Sequence, residues 1–363
     1  MAIREEIHSD LAHPPGDFLA EVLEDMGMSQ VDLARRMGRP PQAINEIIKG
    51  TKALTPETAL QLEQVVAVPA HIWLGLEAEY RLVLARTAED ERTRRETAFL
   101  RFFPYAELVK LGCLIRVRSS EDKVRQLRSY FGVASLDQLG AVRAYAPAFR
   151  VASGKKVSAY ALAAWLYCGQ REVEGRHLQV FNRRRLESIL PDLRALTLVE
   201  TSQVIPQLIS RLAQVGVVFA LFPHFPKTYA HGATFWPEPR NRAVLLMSIR
   251  GRYADVFWFS FFHELGHILL HGGDQTYVEL EARVGEHSPQ ENEADRFASD
   301  VLIPRNQFTD LAKRSSFSRE RVVEFSTNIG IHPGIVVGRL HHEGLLPHTH
   351  LNGLRERFAI QVE

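Results

Sequence analysis

Across residues 15–86 apolar positions recur at helical spacing, the breaks between them carry turn chemistry, and β-branched alternation is almost absent, which predicts a small all-helical unit. Phe18, Val22 and Leu23 precede Gly27. Ser29 is an N-cap for a helix through Met37, and Gly38 breaks it. A second helix over residues 41–49 ends at Gly50. Thr55-Pro56-Glu57 then supplies an N-cap and a proline at the first helical position, opening a helix through Val66. Another helix runs from Ala70 past Tyr80. The charged run 86–96 (RTAEDERTRRE) lacks an apolar stripe and reads as a solvated helix or linker, so the first domain boundary is placed there. Residues 97–213 are mostly helical in pattern and show no chemistry. Their apolar faces include Leu127, Tyr130 and Phe131, then residues 159–167 and 208–212. The period changes at Gly216. VGVVFALF and AVLLMSI are short apolar, β-branched runs bounded by Pro, Gly or Asn, and are expected to be strands. A strongly apolar helix over residues 256–271 follows, with further helices from about Pro289 and Arg319.

Composition places the chain among globular proteins and moves the search to local motifs. It has 363 residues, enough for two or three domains, with 45% hydrophobic and 24% charged residues. Lys and Arg number 44 against 43 Asp and Glu, a net charge of +1, so any nucleic-acid contact must come from a local patch. Two cysteines, Cys113 and Cys168, make no disulfide framework, and the opening MAIREEIHSDLAHPPGD lacks the apolar stretch of a signal peptide. The apolar windows fall short of the roughly 18–20 residues that cross a bilayer. A cytoplasmic protein without a membrane span is expected.

A local patch exists in the helical unit. Gln30, Ala34, Gly38 and Ile44 stand at the first, fifth, ninth and fifteenth places of SQVDLARRMGRPPQAINEII counted from Gln30. A small residue at the fifth place lets two helices approach, glycine at the ninth takes the positive φ of the turn, and an aliphatic at the fifteenth packs the second helix on the first. The second helix is then free to enter a major groove, where Gln42 and Asn45 can pair bidentately with adenine. Arg35, Arg36, Arg39, Lys49 and Lys52, set against Asp32 and Glu46, make a basic patch suited to phosphate. A helical hairpin used for protein contact or dimerisation is the competing reading. Over residues 11–84 the strings QAINEIIKGTKALTPETALQLEQ and IWLGLEAEY resemble the XRE-type helix-turn-helix of HigA-like antitoxins. The resemblance implies a homodimer that binds an operator in duplex DNA and represses its own operon. Pro40-Pro41 departs from the polar or basic pair common in that family, and Trp73 is expected in the core or a dimer contact.

The strongest motif is His263-Glu264-Leu265-Gly266-His267. Histidines four apart share a helix face, so both can bind one metal while Glu264 reaches water activated there. A zinc site needs a further N or O ligand and one open position. QENEADRFASDVLIP offers Glu291, with Asp295 one turn on to accept the second N–H of a ligand histidine. Glu293 is the rival, and Glu291 is favoured because it alone has that aspartate. His271 extends the face by another turn, too far for a straight helix to bring it to the same ion, and is expected beside the ligands.

FWFSFFHELGHILLHG, ENEADRFASDVLIP and IGIHPGIVVGRLHHEG, within residues 150–358, resemble the ImmA/IrrE metallopeptidases, in the subset fused to an antitoxin-like DNA-binding domain. The resemblance implies a Zn2+ (or Mn2+) endopeptidase with ligands His263, His267 and Glu291 and catalytic Glu264, acting on XRE-type repressors or antitoxins in stress response or mobile-element control. The expected fold is multidomain: an all-α helix-turn-helix domain (1–90), a helical middle (91–215), and an α+β zincin-like metallopeptidase domain (216–363). An oxyanion donor is open among His231, Tyr229 and Tyr277. Single-stranded DNA is an expected signal. Cleavage in trans and self-cleavage in an extended 86–96 segment are both open. The alternative is a repressor or antitoxin that uses the peptidase fold to sense a ligand or partner.

Overall fold

The computed structural model describes residues 12–152, 157–172, 179–249, 253–272, 276–280, 288–313 and 316–358. The chain divides into two compact units, Met1–Ala98 and Phe99–Glu363.

Among its described residues the first unit is all-α: α1 (Pro15–Asp25), α2 (Gln30–Arg36), α3 (Pro41–Ile48), α4 (Pro56–Val66) and α5 (Ala70–Glu96). The caps are those the sequence offers. Ser29 accepts from the Asp32 amide and Thr55 from the Thr58 amide, satisfying amides that a helix start leaves unpaired. Ala34 and Ile44 are both 0% exposed, so the α2–α3 hairpin closes on the small-residue and aliphatic positions. Leu19, Leu33, Ile47 and Leu62 fill the rest of this core around Trp73, whose indole N–H donates to the Val68 carbonyl at 3.1 Å. Trp73 is therefore a core residue. The 86–96 run is helix: α5 carries straight through it, with Thr93 and Glu96 buried. Of the two readings, solvated helix and linker, the structure has the helix, and the extended form considered for self-cleavage is not what it shows, because helix propensity and ion pairs such as Arg92–Glu89 sustain a helix without an apolar stripe.

The second unit is built on one four-stranded sheet. Its strands are β1 (Val217–Pro223), β2 (Ala230–Phe235), β3 (Ala243–Ile249) and β4 (Tyr277–Leu280), in the order β1-β3-β2-β4. β1 and β3 run parallel, with Val217 opposite Ala243, while β2 is antiparallel to β3 and β4. Side chains alternate between faces, and both faces are covered, which is why β1 and β3 read as continuous apolar runs. Val217, Phe219, Ala243, Leu245 and Met247 enter one core, and Val218, Ala220, Val244, Leu246 and Phe235 the other.

Twelve α-helices among the described residues pack on those faces or on one another. They are α6 (Tyr105–Lys110), α7 (Ser120–Phe131), α8 (Ala146–Ala152), α9 (Ala159–Arg171), α10 (Arg183–Ser188), α11 (Leu190–Ala195), α12 (Thr201–Ala213), α13 (Ala254–Leu270), α14 (Pro289–Leu302), α15 (Arg305–Ala312), α16 (Arg319–Ile329) and α17 (Pro333–His342). Leu127 and Trp165, from α7 and α9, lie against one face of the sheet, and Leu208 and Leu212, from α12, join the core of the other. The stretch expected as a separate helical middle thus shares its cores with the sheet. β2 and β4 were not expected: β2 (AHGATF) carries small and polar residues where its neighbours carry Val and Leu, and β4 is four residues long. α13 is buried on nearly all sides, between the sheet and α14 and α17, which accounts for its apolar composition.

Candidate active site and DNA-binding surface

α13 and α14 bring the acidic and histidine motifs together. Gly266 makes this possible: a Cβ there would stand 3.1 Å from the Phe297 ring and 3.2 Å from the Ala294 Cα. On α14, Ser288 caps the helix and Pro289 occupies its first turn, which places Glu291 at the positive end of the helix dipole. His263 Nε2 lies 3.0 Å from His267 Nε2, and Glu291 Oε2 lies 3.1 Å and 3.4 Å from those two nitrogens. All three side chains are buried, and their ligand atoms lie within 4.8 Å of one another. One carboxylate oxygen facing two imidazole nitrogens is the donor set that a divalent transition metal takes.

The surroundings orient these donors. Asp295 Oδ1 sits 2.7 Å from His263 Nδ1, which holds a proton on Nδ1 and turns Nε2 toward Glu291. Tyr277, on β4, stacks on His267 with ring centroids 4.2 Å apart and an interplanar angle of 11°. His271 lies outside the cluster: its Nε2 meets the Gln290 carbonyl at 3.0 Å, which ties the end of α13 to the start of α14. Glu293, the rival ligand, is 3.7 Å from His271 Nδ1 and its side chain is 58% exposed. Neither joins the three converging donors. Tyr229 is exposed at a φ of 51° just before β2, and His231 lies within β2.

Glu264 is 0% exposed. Thr234 Oγ1, on β2, donates to its Oε2 at 2.6 Å, while Oε1 has no hydrogen-bond partner among the described residues. Gly232 makes room for it, since a Cβ at that position would lie 2.5 Å from Oε1. Opposite Gly232 in the ladder is Glu279, whose Oε1 lies 3.5 Å from the Ser260 hydroxyl. Sequence reasoning missed Gly232, Thr234 and Glu279 because strands β2 and β4 were not foreseen.

Electrostatics follow from this burial. Desolvation pushes the Glu264 carboxyl up to about 8, with Glu279 and Glu291 adding to it and His263 and Thr234 opposing. Burial also opposes charge on His263, but its hydrogen bonds to Asp295 and Glu291 outweigh that and hold its imidazolium up at about 10. Burial lowers His267.

In the first unit, Gln42, Asn45 and Lys49 are exposed on α3 or at its C-terminal cap. Gln42 Nε2 donates to Glu46 Oε1 at 2.9 Å, and Lys52 Nζ lies 3.9 Å from the same carboxylate. Arg39 differs. Its Nε donates to Gln61 and its side chain, 20% exposed, lies 3.6 Å from Glu57, so it braces the α2–α3 turn on α4.

The geometry defines a helix-turn-helix unit joined to an α+β unit that carries a buried His-His-Glu cluster. Residues 19–73 match the helix-turn-helix family model, and residues 218–341 match the model described as the IrrE N-terminal-like domain, of the M78 peptidase type. The chain belongs to the XRE-type helix-turn-helix transcriptional regulators and carries an IrrE-like peptidase domain. It is similar to the uncharacterized HTH-type transcriptional regulator YddM of Escherichia coli K12, at 35% identity over 85 residues, covering 23% of this chain and 90% of that protein. Virulence-associated protein I of Dichelobacter nodosus is 36% identical over 72 residues, covering 20% of this chain and 67% of that protein. Among solved structures, an addiction module antidote protein of a HigA family from Coxiella burnetii matches 23% of this chain and 94% of its own, at 28% identity and a TM-score of 0.22. Peptidases of the M78 family are in general metal-dependent. No described helix is long and apolar enough to cross a membrane.

Proposed function

We propose that this chain is a cytoplasmic transcriptional regulator whose C-terminal unit is a metal-dependent endopeptidase, cleaving an XRE-type repressor or antitoxin and so derepressing stress or mobile-element genes. The observation that carries this reading is the convergence of His263, His267 and Glu291 beside a Glu264 carboxylate that has one oxygen held and the other unpaired. A divalent ion held by the three donors, Zn2+ by the donor set with Mn2+ as the alternative, supplies Lewis acidity toward a peptide carbonyl.

The chain's own residues do the rest. Asp295 holds His263 in the tautomer that offers Nε2, and Tyr277 holds the His267 ring by stacking. Thr234 fixes Glu264 Oε2, so Oε1 is the atom that takes a proton from the attacking water and returns it to the departing amine nitrogen. Burial raises this carboxyl in the metal-free site, and the charge of a bound ion would bring it back toward the carboxylate form that accepts a proton.

The first unit supplies operator binding, as a homodimer on a two-fold site, with Asn45 and Gln42 toward base edges and Lys49 and Lys52 toward phosphates. The helical 86–96 segment favours cleavage in trans, because a peptidase cleft takes extended chain and a formed helix must first unwind. The test is incubation of the purified protein, Zn2+ or Mn2+, and the XRE-type repressor encoded beside it, with and without single-stranded DNA as signal. Metal-dependent cleavage supports the reading. Intact repressor under every condition opposes it.

A further inference from the structure

The only two cysteines in the sequence meet in space, in the helical layer on the sheet face opposite α13. Cys113 follows α6 in a turn pinned by its own amide, which donates to the Leu108 carbonyl at 2.9 Å, and it is half-buried. Cys168 lies near the end of α9 and is 3% exposed. From α7, the Tyr130 hydroxyl reaches 3.4 Å from Cys168 Sγ. Cys113 packs against the same cluster, and its thiol is close enough to both the Tyr130 hydroxyl and the Cys168 thiol for each to bias its ionisation, so three segments converge on two sulfurs. The Arg171 guanidinium stands 5.5 Å above the Tyr130 ring and adds positive charge beside them. None of these residues belongs to the metal-binding cluster or to the DNA-binding surface.

We propose that Cys113 and Cys168 form a redox-active dithiol that hydrogen peroxide closes to an intramolecular disulfide, with Cys113 as the attacking sulfur and Cys168 as the resolving one. Roles follow from access and surroundings. Cys113 is the more exposed, and its thiol is held below the ordinary range, first by the neighbouring Cys168 thiol and further by Tyr130 and Arg171, against the opposing effects of burial and Glu172. Its thiolate attacks one peroxide oxygen, the O–O bond breaks, hydroxide leaves, and Cys113 becomes a sulfenic acid. Cys168 keeps its proton, since the neighbouring Cys113 thiol and its own burial both push that thiol up. Its sulfur then displaces hydroxide from the sulfenic sulfur, and its proton leaves with that hydroxide as water. Two electrons pass from the two thiols to one peroxide. The two neighbouring sulfurs then draw together to about 2.05 Å.

The experiment uses the full chain, reduced, freed of reductant, and treated with a small excess of hydrogen peroxide. Thiol titration under denaturing conditions is expected to fall from two per chain to none, with a Cys113–Cys168 cross-linked peptide in a non-reducing mass map. Dithiothreitol restores both thiols, and the chain keeps its monomer mass on a non-reducing gel. Cys113→Ser slows oxidation of Cys168 at least tenfold, whereas Cys168→Ala leaves a Cys113 sulfenic acid that dimedone traps. Two thiols surviving peroxide, Cys113 running on to sulfinic acid beside an intact Cys168, or cross-links only between chains would each overturn the proposal. The thiol titration and mass map use the wild-type chain, so their outcome does not depend on whether a variant folds.

Discussion

Removing the Asp295 carboxylate is expected to weaken metal binding without removing any of the three converging donors. Asp295 Oδ1 lies 2.7 Å from His263 Nδ1. A hydrogen bond to a charged acceptor is worth about 1.5–3 kcal/mol net. The Asp295 side chain is 40% exposed, so water replaces part of the interaction and the lower end applies. About 1.5 kcal/mol corresponds to about tenfold in affinity, the low end of the range for partners that orient ligand histidines. Asp295→Asn keeps an acceptor without the charge and is expected to lose about half that free energy. Competition against a chromophoric chelator measures the wild type, Asp295→Ala, Asp295→Asn, Glu291→Ala and Glu293→Ala in one series. The expected order of loss places Glu291→Ala first, then Asp295→Ala, then Asp295→Asn, with Glu293→Ala near wild type. Affinity within twofold of wild type for Asp295→Ala would refute the orienting role, and a larger loss in Glu293→Ala than in Glu291→Ala would refute the ligand set.

Metal binding near neutral pH is expected to release about one proton or more, because the metal-free His263, held at about 10, is protonated there and must give up that proton. Affinity therefore rises with pH through this range; calorimetry in buffers of different ionisation enthalpy reads the release, and proton uptake would contradict it. Gly232→Ala puts a Cβ 2.5 Å from Glu264 Oε1 and is expected to abolish cleavage while metal affinity stays within a few fold of wild type, as a chelator titration beside a cleavage assay will show. Asn45→Ala is expected to cost about 1–3 kcal/mol in operator binding and relax base preference, while Lys49→Ala weakens all sequences alike and flattens the salt slope by about one, both read by binding titrations across salt. Arg39→Ala, by contrast, is expected to lower the melting temperature of the first unit more than it changes that slope, since its guanidinium is bound to Gln61 and Glu57.

The parts of this molecule that were legible in the sequence are those where chemistry is local. The Ser29 and Thr55 caps, the α2–α3 spacing and the His263/His267 pair each depend on residues within a few turns. Glu291 was legible for the same reason, since Asp295 one turn away distinguished it from Glu293. What stayed hidden depends on tertiary neighbours. Gly232 and Thr234 lie on a strand whose composition, AHGATF, looks like a loop until β3 and β4 pair with it. Arg39 reads as a phosphate contact from charge alone, and only the α4 face shows that Gln61 and Glu57 engage it. The 86–96 run stays open between solvated helix and linker in the sequence because a solvated helix leaves no apolar stripe to detect.

The central claim, that Glu264 performs proton transfer in peptide cleavage, is tested most directly by a mass-spectrometric time course comparing wild type with Glu264→Gln. Both proteins are loaded with metal and mixed with the neighbouring XRE-type repressor, with single-stranded DNA present. Wild type is expected to yield two repressor fragments from one scissile bond. Glu264→Gln should keep metal and operator affinity while losing about 10²-fold or more in cleavage rate, because it removes the base and leaves the ligands. Equal cleavage by the two proteins, or none by the wild type, would contradict the account.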